Sequence, residues 1–129
     1  MPLPSRPVRP DELTSGVYTP VRSAEANLDS NITFTQAKFI RVGDIVSVSG
    51  TFTADPTLTT TATSFEMTLP VVVSGIISAG TLTGQAVCGI ISEAAEIIGS
   101  TTNRTAKVQW KAIDTTSRSW SYNFSYLVT

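Results

Sequence analysis

The chain has 129 residues, a net charge of −1 from nine basic and ten acidic side chains, no histidine and one cysteine. That is one domain's worth of sequence, enough to bury roughly two-thirds of its unfolded surface without disulfides or a structural metal. The charge balance leaves no basic footprint for nucleic acid, and the missing histidine removes Ser-His-Asp and Cys-His hydrolysis and the commonest general base.

The first ten residues, "MPLPSRPVRP", hold Pro2, Pro4, Pro7 and Pro10 together with Arg6 and Arg9. Each proline lacks a backbone N–H, fixes φ and disfavours helix for the residue before it, so residues 1–14 read as an extended, polyproline-like arm. No apolar segment follows the arginines, so the start does not read as a secretory signal. The remaining residues, 15–129, read as a single β domain. The whole chain has 20 threonines and 15 serines, a composition that suits strands with hydroxylated outer faces.

Along the domain, "GDIVSVSGTFTAD" alternates Val46, Val48, Gly50 and Phe52 against Ser47, Ser49 and Thr51, the period-two pattern of a half-buried strand. "SFEMTLP" does the same, with Phe65, Met67 and Leu69 inward and Glu66 outward, until Pro70 ends it. The longest apolar run, "LPVVVSGII", is broken by Pro70, Ser74 and Gly75 and is too short to span a bilayer as a helix, so no membrane association is expected. "LTGQAVCGII" places Leu82, Gly84, Ala86 and Cys88 on one face, which makes Cys88 a buried core thiol. "GIISEAAEIIGS" fits a strand pair or one short helix, and the strand reading is taken here.

Further on, "TAKVQWKA" turns Ala106, Val108 and Trp110 inward and Lys107, Gln109 and Lys111 outward. The closing "SWSYNFSYLV" alternates Trp120, Tyr122, Phe124, Tyr126 and Val128 with Ser119, Ser121, Asn123, Ser125 and Leu127. An aromatic stripe of this kind could stack sugars, but it is more readily the inner face of a sheet. Turn signals at 42–44, 54–57, 78–81, 99–103 and 114–117 separate these runs. The whole predicts an all-β, antiparallel β-sandwich, jelly-roll-like, with an extended N-terminal arm.

Little in the sequence carries chemistry. Asp29, Asp44, Asp55 and Asp114 sit beside turn residues, where aspartate caps the backbone, and Gly50 reads as a bulge or a close packing site. Glu93 and Glu96 are the one acid pair whose arrangement is open. Gly80 and Gly84 are not followed by a lysine at phosphate-loop spacing. The sequons at Asn31, Asn103 and Asn123 are taken as chance in a chain so rich in serine and threonine. No enzyme activity, catalytic residue, cofactor or metal is expected.

The segments "SGVYTPV", "ANLDSNITFTQAKFIRVGDIVSVSGTFTADPT", "TLP" and "YNFSYLV" resemble a β-sandwich module of tailed-bacteriophage virion proteins, of the capsid decoration, head-fibre or tail-fibre C-terminal type. The resemblance covers residues 15–128 and implies a structural or surface-display protein of a virus particle, self-associating, with a trimer favoured by analogy. Fibre versions carry a long stalk upstream, where this sequence has a short arm, so a capsid decoration or cement protein is placed ahead of a receptor- or glycan-binding fibre tip. On this reading Pro4, Arg6, Pro7, Val8, Arg9 and Pro10 contact the major capsid protein or another virion protein on the capsid exterior. A stiff arm has little entropy to lose, and guanidinium groups pair bidentately with carboxylates.

Overall fold

The computed structural model describes residues 13–29, 31–70, 81–100 and 104–128. Among the described residues there are ten strands and no helix. In chain order they are β1 (Leu13–Tyr18), β2 (Arg22–Ala26), β3 (Thr33–Phe34), β4 (Ala37–Val42), β5 (Ile45–Ala54), β6 (Ala62–Met67), β7 (Thr83–Cys88), β8 (Glu93–Ser100), β9 (Thr105–Lys111) and β10 (Arg118–Leu127). Leu13 and Thr14, inside the span the sequence reads as arm, are paired with Val42 and Arg41.

All ten strands belong to one antiparallel sheet in the order β1-β4-β5-β10-β7-β8-β9-β6-β2, with β3 pairing β5 off this path. Its centre is the long ladder between β5 and β10, which runs unbroken from Ala54↔Arg118 to Ile45↔Leu127. β4 and β5 are joined by Gly43 and Asp44 alone, and Gly43 takes φ +60°, the left-handed geometry that a two-residue hairpin with glycine first demands. The 90s segment is strand: Cys88 pairs with Glu93 across a turn, and β8 continues to Ser100.

The two edge strands, β1 and β2, stand at opposite ends of the sheet yet are joined by only three residues, Thr19, Pro20 and Val21. The sheet must therefore fold back on itself. Ring contacts show where its leaves meet: Phe52 of β5 lies 4.9 Å from Phe65 of β6, and Trp120 of β10 lies 5.0 Å from Trp110 of β9. β7 and β8 separate β10 from β9 in the hydrogen-bonding order, so the bend runs through them. The result is a sandwich made from one curled sheet, a half-barrel, with its core between the leaves.

Where the ends of the sheet approach, Thr68 closes the seam. Its backbone N–H donates to the Val21 carbonyl (3.1 Å), its Oγ1 accepts from the Val21 N–H (3.0 Å), and its carbonyl accepts from the Tyr18 hydroxyl (3.1 Å). The inward positions read from the sequence form the core: Phe52, Phe65, Met67, Trp110, Trp120, Tyr122, Phe124 and Tyr126 are all buried, as is Cys88. Gly50 is a close packing site and no bulge. It pairs with Tyr122 in an unbroken ladder, and a Cβ there would meet the Tyr122 hydroxyl at 2.7 Å.

Candidate functional site

The positions considered for catalysis are not brought together. Glu93 and Glu96 lie three apart on β8, so they point to opposite faces; Glu93 is buried and Glu96 exposed. The Glu93 carboxylate accepts the Ile113 N–H at 2.7 Å at the base of the β9–β10 loop. Burial raises its pKa, the Ile113 hydrogen bond opposes this, and the nearby Asp114 charge adds to the rise. Asp114 is held below the usual carboxylate range by the Thr116 N–H and by Arg118, whose Nε donates to it at 2.9 Å. That is the backbone-capping role expected of a turn aspartate.

Glu66 is a correction. It takes the outward side of β6 as read, yet it is only 7% exposed, because it stands opposite Lys107 of β9 and accepts a hydrogen bond from the Thr105 hydroxyl. Among the described residues, no three His, Cys, Asp or Glu side chains converge as a metal site would need. The aromatic stripe of β10 faces inward and stacks within the core, with Trp120 parallel to Phe52 at 5.8 Å. It is no sugar platform. The loop between β5 and β6 is tied down by Asn27, whose amide donates to the Leu58 carbonyl (2.9 Å) and Thr63 Oγ1 (2.7 Å) and accepts the Leu58 N–H (3.0 Å).

The outer face of β4, β5 and β10 has a different character. Opposed residues in an antiparallel ladder share a face, so the register lays out its rows directly. One row is Val42, Ile45 and Leu127, side by side and 44%, 52% and 42% exposed. Two residues further along β5 comes Ile40, Ser47, Ser125 and Thr83; two further still, Lys38, Ser49 and Asn123. These last two rows line a hollow of about 440 Å³ beside the apolar row. Of the outward positions on these three strands, only Lys38 carries a charge.

Contiguous exposed apolar side chains on a face almost free of charge mark a surface that tolerates burial against another macromolecule. The sequence reading missed this row because it treated outward positions as solvated. The available signal was local: in "AKFIRVGDIV" both alternating faces are apolar around the hairpin tip. The arm residues Pro4, Arg6, Pro7, Val8, Arg9 and Pro10 lie outside the described residues. The strand they lead into pairs Leu13 with Val42, so the arm joins the domain at the end of the apolar row. Compared with known proteins, the chain matches no family model, no curated protein and no solved structure.

Proposed function

We propose that the protein is a non-enzymatic structural protein of a bacteriophage virion, a capsid decoration protein seated on the shell exterior. It attaches to the major capsid protein partly through Pro4, Arg6, Pro7, Val8, Arg9 and Pro10 and works as a homo-oligomer. The observation that carries this reading is the exposed row Val42, Ile45 and Leu127 on a face with a single charge, at the point where the arm enters the sheet. A protein whose task is attachment needs such a face. The resemblance of residues 15–128 to virion modules supplies the particle.

The test is a shell-binding assay with purified particles. Removing residues 1–12 leaves the Leu13–Val42 pairing in place, so the domain should stay folded while binding to shells weakens by at least about tenfold. Replacing Arg6 and Arg9 with alanine should cost less than deletion and make the residual binding less sensitive to salt. Binding unaffected by the deletion would remove the arm from the proposal.

The alternative is a receptor- or glycan-binding tip of a tail fibre. The hollow favours it specifically, because Lys38, Ser47, Ser49, Asn123 and Ser125 offer ammonium, hydroxyl and amide groups of the kind that hydrogen-bond sugars. A glycan array probed with the protein, together with its location at tail rather than shell, would bring this reading forward.

A further inference from the structure

The outer face of β4, β5 and β10 carries a ridge and a hollow next to each other. The ridge is Val42, Ile45 and Leu127; the hollow, about 440 Å³, begins one outward position further along each strand. A row of exposed apolar side chains beside a hollow on one face can pair with itself under a two-fold rotation, which lays each row over the other copy's hollow. Analogy with virion modules suggests a trimer, but a three-fold would need the row and the hollow on different sides of the domain. Here they share one side.

The charges on this surface agree with the same axis. Lys38 pairs with Ser49 in the row of the hollow farther from the ridge, and Asp44 precedes Ile45 at the hairpin tip, on the other side of the ridge. Both are exposed. They are separated by five residues along β5, roughly 16 Å at the usual strand rise. A two-fold midway between them, near Val46 and Ser47, brings each Lys38 to Asp44 of the second copy. We propose that this face pairs with the same face of a second copy about such an axis, giving a dimer with ridges seated in hollows and two Lys38–Asp44 pairs at the rim. The inference rests on the homo-oligomeric part of the function proposed above and names its surface.

Sedimentation of the full chain tests it. The expected species has twice the 13.7 kDa mass of one chain. Ile45→Lys should dissociate it, because the two-fold repeats the buried charge twice and weakens association by at least about a hundredfold. Near-UV circular dichroism of Trp110 and Trp120 should be unchanged. If that variant misfolds, Leu127→Lys serves the same purpose.

The decisive readout is the charge swap. Lys38→Asp and Asp44→Lys should each raise the dissociation constant at least about tenfold, and the double variant should return it to within about threefold of the parent. A general loss of fold would not produce that rescue. A parent chain that remains monomeric at about 0.1 mM, a trimer mass, or a double variant no tighter than either single one overturns the proposal. Dissociation of the dimer by a peptide of residues 1–12 also overturns it and assigns the face to the arm. A monomer found on shells would sink the two-fold and spare the shell reading; a dimer absent from shells would do the reverse.

Discussion

At the scale of single residues, two side chains put polar groups where the fold gives them no partner. The Tyr122 hydroxyl and Trp110 Nε1 are buried without a hydrogen bond among the described residues. A buried polar group left unpaired costs about 1–3 kcal/mol, so removing one should not weaken the fold. Tyr122→Phe is expected to leave stability unchanged or raise it by about 1 kcal/mol, as read by urea unfolding at neutral pH. Burial also pushes the Tyr122 pKa up to about 12 from the ordinary 10.0. Its neutral form is the one the fold favours, so that contribution is complete below pH 10 and is lost as pH rises toward 12. The phenylalanine variant should therefore lose less stability in alkali than the parent. Some loss should persist, because burial raises the Tyr18 pKa as well. Glu93 gives the complementary test at the acid end. Its pKa is raised above the ordinary 4.5, so its charged form is disfavoured by the fold at neutral pH. Glu93→Gln retains an acceptor for the Ile113 N–H and removes the charge. The variant should melt slightly higher at pH 7, and the gain should fade below about pH 4.5, where the parent is itself protonated. A gain that persists in acid would mean that packing, not charge, is responsible.

Elements show how much of this fold could be read in advance. The strands β5, β9 and β10 follow from their sequences, because polar and apolar residues alternate along most of each and one face lies in the core. β8 was less legible, since "EAAEII" satisfies both periods and only its pairing with β7 and β9 decides it. β1 and β2 were not legible at all. Among the described residues they are edge strands, paired on one side only, and β2 is interrupted by a bulge between Ser23 and Ala26 with Ala24 at φ 49°. Short edges of this kind carry no clean alternation to read. Gly84 provides the sharpest test of an element. It stands opposite Phe124 in the β7–β10 pairing, where a Cβ would fall 2.2 Å from the Asn123 carbonyl oxygen and 2.4 Å from the Phe124 Cβ. Backbone cannot yield as a side-chain tip can. Gly84→Ala should cost about 3 kcal/mol or more, comparable to Trp120→Ala, though it adds a single methyl group. A loss below about 1 kcal/mol would mean that β7 can slide away from β10.

For the whole molecule, the complete candidate face was illegible because it joins Ile45 and Leu127, 82 residues apart in sequence. Ile45 and Leu127 become neighbours only through the β5–β10 ladder, so the apolar hairpin tip signals Val42 and Ile45 but not the third member of the row. The closure of the sheet depends on long-range pairing in the same way. The order β1 to β2 leaves two edges whose free sides would otherwise offer backbone groups to other chains. Besides the three-residue link, Thr68 ties those ends together: the Tyr18 hydroxyl of β1 donates to its carbonyl, and Val21 bonds its N–H and Oγ1 next to β2. Native-state hydrogen exchange should therefore divide the sheet. Amides in the β5–β10–β7 centre should open only with global unfolding, whereas those of β1 and β2 should exchange by local opening of the seam. Thr68→Val removes the bond from the Val21 N–H to Oγ1 and keeps the two that use the Thr68 backbone. The site is exposed, so water can replace the lost acceptor and the global cost should be small, about 0.5–1 kcal/mol. Exchange at β1 and β2 should nevertheless accelerate at least about tenfold, well beyond the roughly two- to fivefold that this global cost produces at the centre. If the edges and the centre accelerate equally, the seam is no separate unit, and the curled sheet opens as one cooperative whole.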